Sequence, residues 1–204
     1  MVMAYVKAII ALFVIIDPIG GIPVFLAVTE PLKEESRRRA FNIASVVAFL
    51  ILLLFALSGQ FILDDVFQIN IADLRIAGGI LLFMIAIKDI QGSTRKSIKS
   101  DAEHLRPEEL GCVPLACPML AGPGAMVTSL TIWNDPNAGP VVAIVAIAAV
   151  LIVFWILMRF IGTISHPIGQ LIITAASKVM FILVAAIAVN MIVQGISYYV
   201  NVAG

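Results

Sequence analysis

Apolar residues run along this chain in stretches of about 20, the length that crosses a bilayer as a helix, separated by short polar segments. Read this way, the pattern predicts six spans, over residues 3–29, 40–60, 74–90, 111–133, 140–160 and 177–199. Residues 31–39 form a charged turn, and residues 61–73 an acidic linker carrying Asp64, Asp65 and Asp73. The one long polar loop, 91–110, holds Arg95, Lys96, Lys99 and Arg106. Residues 134–139 are a turn by composition. Between spans five and six, residues 162–176 read as an interfacial or re-entrant piece.

Two of these spans carry helix breakers in their middles. Span one contains Asp17-Pro18-Ile19-Gly20-Gly21-Ile22-Pro23, and span four contains Ala121-Gly122-Pro123-Gly124-Ala125 after Pro114 and Pro118. Proline removes a backbone donor and clashes with the preceding turn, while glycine makes unwound backbone accessible. Pro23 suits the first turn of a new helical half, where its missing N–H costs nothing. Lipid tolerates broken backbone only where protein buries it or it lines a wet cavity. One break in each half of a membrane protein points to a transport site. A plain proline kink, repaired by its neighbours, is the alternative for either cluster taken alone.

Composition agrees: of 204 residues, 61% are hydrophobic and only 13% charged, with a mean hydropathy of +1.08. Soluble domains carry about 25% charged residues, so an all-α integral membrane protein is expected. The dyad alternation of an outer-membrane barrel is missing, and the start lacks the basic region and cleavage site of a signal peptide. A formal net charge of zero implies no nucleic-acid partner. Cys112 and Cys117 match no zinc or redox spacing. With His104 and His166 the only histidines, neither a metal site, a cofactor nor an enzyme is expected.

Lys and Arg near span ends set the orientation. Loops 1–2, 3–4 and 5–6 collect eleven: Lys33, Arg37, Arg38, Arg39, Lys88, Arg95, Lys96, Lys99, Arg106, Arg159 and Lys178. The other side has only Lys7 and Arg75. Those loops are therefore expected in the cytoplasm and both termini outside, in a cell (plasma or inner) membrane. A shift of 103 residues aligns Ile69, Ala72 and Arg75 with Ile172, Ala175 and Lys178, and Gln91-Gly92 with Gln194-Gly195; a shift of 105 puts Pro18 on Pro123. Two three-span repeats follow, 1–90 and 111–204 joined by the loop 91–110, with the second inverted because three is odd.

Each break leaves unpaired N–H groups and a positive dipole end on one side, and unpaired carbonyls on the other. Such a site suits a small zwitterion. Its carboxylate would take N–H groups of Gly20, Gly21, Gly124 and Ala125; its ammonium would take carbonyls and Asp17. The candidate binding set is Asp17, Pro18, Ile19, Gly20, Gly21, Ala121, Gly122, Pro123, Gly124 and Ala125, with Thr128 and Asn190 added as polar mid-span positions. Asp17 is the one carboxylate well inside a span. Intramembrane acids are costly and functional by default, making Asp17 the candidate proton carrier; capping the second half-helix is its bland role. Asn42, Ser45, Ser129 and Gln194 fit interhelical hydrogen bonding.

At these residues the chain resembles the MarC/SnatA family of six-span membrane proteins. The resemblance rests on the string from Asp17 to Leu26, on Val113 to Ala125, and on Gly78-Gly79 in span three; Gly21 departs from it, the family usually having Asn there. It implies transport of small neutral amino acids such as glycine and alanine, driven by a proton gradient, with sodium the other candidate coupling ion. A passive channel or facilitator, or an exporter of another small solute, is the alternative.

Overall fold

The computed structural model describes residues 2–29, 32–92, 106–160 and 167–203, and every regular element among them is helical. In chain order these are α1 (Val2–Ile16), α2 (Ile22–Thr29), α3 (Glu34–Phe61), α4 (Ile71–Ile90), α5 (Pro107–Leu110), α6 (Pro123–Trp133), α7 (Gly139–Phe160) and α8 (Pro167–Ala203). Glu34–Phe61, Gly139–Phe160 and Ala175–Val200 are long and apolar enough to cross a bilayer. Helix ends follow charge: Glu34 and Glu35 open α3, and Arg159 closes α7, each opposite in sign to the local dipole end. Asn70 and Asp73 form a capping box at the start of α4, where the Asn70 N–H donates to Asp73 Oδ2 at 2.8 Å.

The acidic linker expected over 61–73 is largely helical. α3 runs on as π-helical turns through Ile62–Phe67, and Gln68 ends them with φ 53°. Apolar Ile62, Leu63 and Val66 keep the helix going past its acids.

α3 buries Ala40, Ala44, Ala48, Leu52 and Ala56, a stripe repeating every fourth residue that lies along one face. Its small side chains let neighbours come close. α7 packs against α3 in antiparallel fashion: Trp155 Nε1 donates to Asn42 Oδ1 at 2.6 Å, and the rings of Phe41 and Phe154 are 6.4 Å apart. Phe25 of α2 completes the aromatic group, edge-on to Phe154 at 5.1 Å and to Phe41 at 6.5 Å. α1 lies on α7, and the segment Gly111–Leu120 lies on α3.

α4 and α8 form a second antiparallel pair whose axes approach at glycine. A Cβ on Gly79 would fall 2.7 Å from the Ala188 carbonyl oxygen, and one on Gly195 would fall 2.7 Å from that of Ala72. The same register brings Ala86 level with Phe181. The Tyr199 hydroxyl donates to Asp73 Oδ1 and ties the far end.

One expectation is corrected here. Residues 161–166 lie outside the described residues, but 167–176 are not a separate interfacial piece; they are the first turns of α8, unbroken to Ala203. Pro167 stands at the first position, where proline starts a helix instead of breaking one. The 37 residues of α8 extend about 55 Å at 1.5 Å per residue.

Gly79→Val should force α4 and α8 apart and lower stability by about 1–3 kcal/mol. Thermal unfolding of the purified protein measures this; an unchanged midpoint would contradict the close approach.

Candidate functional site

The chain between α1 and α2 is a turn organised by one carboxylate. Asp17 still donates its N–H to the Phe13 carbonyl at 2.9 Å, as a helical residue would, but its φ is 46°. Aspartate is among the few non-glycine residues that visit this region readily. Pro18 follows with no N–H to satisfy. Asp17 Oδ1 accepts the Gly20 N–H at 2.9 Å, its carbonyl accepts the Gly21 N–H at 3.0 Å, and the Ile19 carbonyl accepts that of Ile22 at 3.2 Å. A Cβ at position 20 would sit 2.0 Å from Asp17 Oδ2, so any side chain there would displace the carboxylate. Asp17 is 4% exposed, and its Oδ2 has no hydrogen-bond partner among the described residues.

α2 is closed at its far end by charge. The Thr29 hydroxyl donates to the Phe25 carbonyl at 2.7 Å. Arg37 Nε and Nη2 donate to the Thr29 carbonyl at 3.4 and 3.3 Å, a cation on the negative end of a helix.

The second interruption is longer than the Gly122–Gly124 cluster suggested. Within Gly111–Leu120, Val113 (φ −139°, ψ 121°) and Cys117 (φ −126°, ψ 124°) are extended. Each precedes a proline, Pro114 and Pro118, whose ring drives the preceding residue out of the helical region. The Ala121 N–H then reaches the Ala116 carbonyl at 2.8 Å. Extended Gly122 caps α6, and Pro123 is its first helical residue.

Both interruptions line one cavity of about 170 Å³. Asp17, Gly21 and Phe25 come from the first, and Gly122, Pro123, Gly124 and Ala125 from the second. Between them, Ile15 and Leu82 pack against Gly124, within 3.0 and 2.9 Å of where its Cβ would be. α4 contributes Leu82, Ala86, Lys88 and Asp89, and α8 contributes Phe181 and Val184. Asp17 and Asp89 are near enough to interact electrostatically. The walls are otherwise mostly apolar, so charge is confined to three side chains and the N-terminal N–H groups of α6. Small zwitterions match that combination: amides for a carboxylate, acids for an ammonium.

Six of the residues expected at the site line the cavity: Asp17, Gly21, Gly122, Pro123, Gly124 and Ala125. Pro18, Ile19 and Gly20 form the turn behind Asp17, and Ala121 is fully buried beside the cap. Thr128, half-buried on α6, is not among the lining residues. Asn190 is placed elsewhere: its side chain is exposed, because Ala188, Met191 and Gly195 are the α8 residues turned inward. Ser45 and Ser129 bond backbone carbonyls of their own helices at 2.9 and 2.8 Å. Phe25, Lys88, Asp89 and Phe181 were missed. Lys88-Asp89 at the end of an apolar run was the visible signal, but it reads equally as a span boundary.

Apolar helices of spanning length, packed around a mostly apolar cavity that holds three charged side chains, define an integral membrane protein. Residues 2–200 match the family described as "MarC family integral membrane protein", and the chain belongs to that family. It is 33% identical over 192 residues to a "UPF0056 membrane protein" of Archaeoglobus fulgidus, covering 91% of this chain and 89% of that one. It is 32% identical over 198 residues to the UPF0056 membrane protein YvbG of Bacillus subtilis, covering 94% and 91%. No solved structure matches the chain.

In a Cys112→Ser/Cys117→Ser background, cysteine at Ala86 or Gly122 should react with a small water-soluble thiol reagent. Cysteine at Ala44, buried away from the cavity, should not. Equal protection of all three, followed by mass spectrometry, would argue that water does not reach the cavity.

Proposed function

We propose that the protein is a secondary transporter of small neutral amino acids, glycine or alanine in size, with the substrate held between the two interrupted helices. The observation that carries this reading is the buried Asp17 carboxylate, its Oδ2 without a hydrogen-bond partner among the described residues, in a cavity shared with the amide end of α6. The substrate carboxylate takes the Gly124 and Ala125 N–H groups, and its ammonium takes Asp17 with Asp89 as the second acid. A glycine- or alanine-sized molecule fits within the cavity of about 170 Å³, and Gly21, Gly122 and Gly124 let main chain come up to it. Asp17 carries the coupling proton.

The proposed frame is six spans in two inverted repeats, with spans one (α1 and α2) and four (Gly111–Leu120 and α6) broken midway through the membrane. The pairing of helices supports it. α3 faces α7 and α4 faces α8, while α1 rests on α7 as Gly111–Leu120 rests on α3, the exchange a two-fold axis in the membrane plane would produce. Arg39 Nε bonds Glu108 Oε1 at 2.9 Å, so the start of α3 and α5 lie together, in keeping with a shared cytoplasmic side in the plasma membrane and termini outside. Movement of one repeat against the other would expose the site alternately.

Purified protein in liposomes should accumulate radiolabelled glycine when an inward proton gradient is imposed, and less so with a sodium gradient. Asp17→Asn should abolish gradient-driven accumulation but keep glycine counterflow; Asp89→Asn should raise the half-saturating glycine concentration roughly tenfold or more, the worth of a charge-assisted hydrogen bond. Wild-type coupling in Asp17→Asn would remove that carboxylate from the mechanism, and ionic conductance without counterflow would indicate a channel.

A further inference from the structure

Away from the cavity, the outer surface between α3 and α7 holds a groove of about 270 Å³ lined by Val46, Phe49, Leu50, Ala148, Ile152 and Trp155, with Ser45. Its walls are almost wholly apolar, and Val46, Leu50 and Ile152 are at least half exposed. At one end Trp155 is shared with a small recess lined by Arg38, Phe41, Asn42 and Arg159. Arg38 lies in the first turns of α3 and Arg159 in the last turn of α7. Two guanidinium groups thus converge where the apolar groove begins.

Their counter-charges do not balance. Arg38 is paired with Glu34 through Nε at 3.0 Å, leaving its terminal NH₂ groups. Arg159 has no acidic partner among the described residues; its guanidinium carbon lies 5.4 Å from the centroid of the Trp155 ring. That ring is held at its edge by the indole N–H, which donates to Asn42 Oδ1 at 2.6 Å. Arg159 is therefore held in place with no acceptor on its donors among the described residues, the arrangement that binds a phosphate bidentately. From Arg159 to Ala148 the groove follows α7 for about 16 Å, a headgroup-to-chain distance.

We propose that this groove is a binding site for one anionic phospholipid, its phosphate between Arg38 and Arg159 and one acyl chain lying along Trp155, Ile152 and Ala148. The charge selects an anionic headgroup over a zwitterionic one, and the groove selects a lipid over a soluble phosphate. Trp155 marks the boundary between the two, where an indole prefers to lie. The site is independent of what the central cavity carries.

The test is native mass spectrometry of the full chain released from detergent, with phosphatidylglycerol, phosphatidylcholine of the same acyl chains, and glycerol phosphate as probes. Wild type should retain one phosphatidylglycerol, roughly tenfold or more in preference to phosphatidylcholine, as expected for two basic contacts. The double variant Arg38→Gln/Arg159→Gln should lose that preference. Ala148→Phe, which keeps both charges, should lose the adduct because the chain no longer fits. Equal retention of the two lipids by wild type, full occupancy in either variant, or displacement of the lipid by glycerol phosphate would each overturn the proposal. If a variant does not fold, added salt must weaken the wild-type preference; insensitivity to salt counts against it equally.

Discussion

Lipid offers no partner to a main-chain N–H or C=O, so a break in a helix must bring its own. The turn after α1 does so through one side chain. Asp17 accepts the Gly20 N–H on its carboxylate and the Gly21 N–H on its carbonyl, while Pro18 contributes no donor at all. The second interruption follows the same logic by another route: prolines at 114, 118 and 123 remove three donors, and the Ala121 N–H is recovered by a wide turn onto Ala116. Residues that look disruptive in the sequence are those that leave least unsatisfied.

The surrounding helices then hold the two interruptions face to face. Phe25 links α2 to α3 and α7 through its aromatic contacts, while glycine contacts bring α4 and α8 close enough to wall the other side. The cavity lies between the two interruptions and the pair α4 and α8, whose glycine seam brings those helices close. Within it, the amide end of α6 shares the walls with only three charged side chains, Asp17, Lys88 and Asp89. The polarity is therefore carried by backbone ends and only a few side chains.

Much of this was legible along the chain. The Asp17–Pro23 and Ala121–Ala125 strings coincide with the turn after α1 and the cap of α6, because Pro and Gly act locally and leave a local mark. Gly78-Gly79 marked a close contact, though not its partner. The cavity wall was not legible: Lys88, Asp89 and Phe181 arrive through the register between α4 and α8, which depends on residues a hundred positions apart. Asn190 shows the converse. Its mid-span position was plain, but its direction depends on which face of α8 meets α4, and a helix apolar on nearly all sides gives little clue. The prolines at 114 and 118 were visible too, yet only geometry shows that each also straightens the residue before it.

The chain has only two tryptophans, Trp133 and Trp155, and they stand at opposite ends of the hairpin made by α6 and α7. Trp133 closes α6 beside the turn; Trp155 lies sixteen residues into α7, about 24 Å down its axis, close to the thickness of a hydrocarbon layer. Indole emission depends on how wet its surroundings are, so this pair acts as a built-in depth gauge. Quenchers placed at known levels of a bilayer could read the tilt of the hairpin directly, without any label.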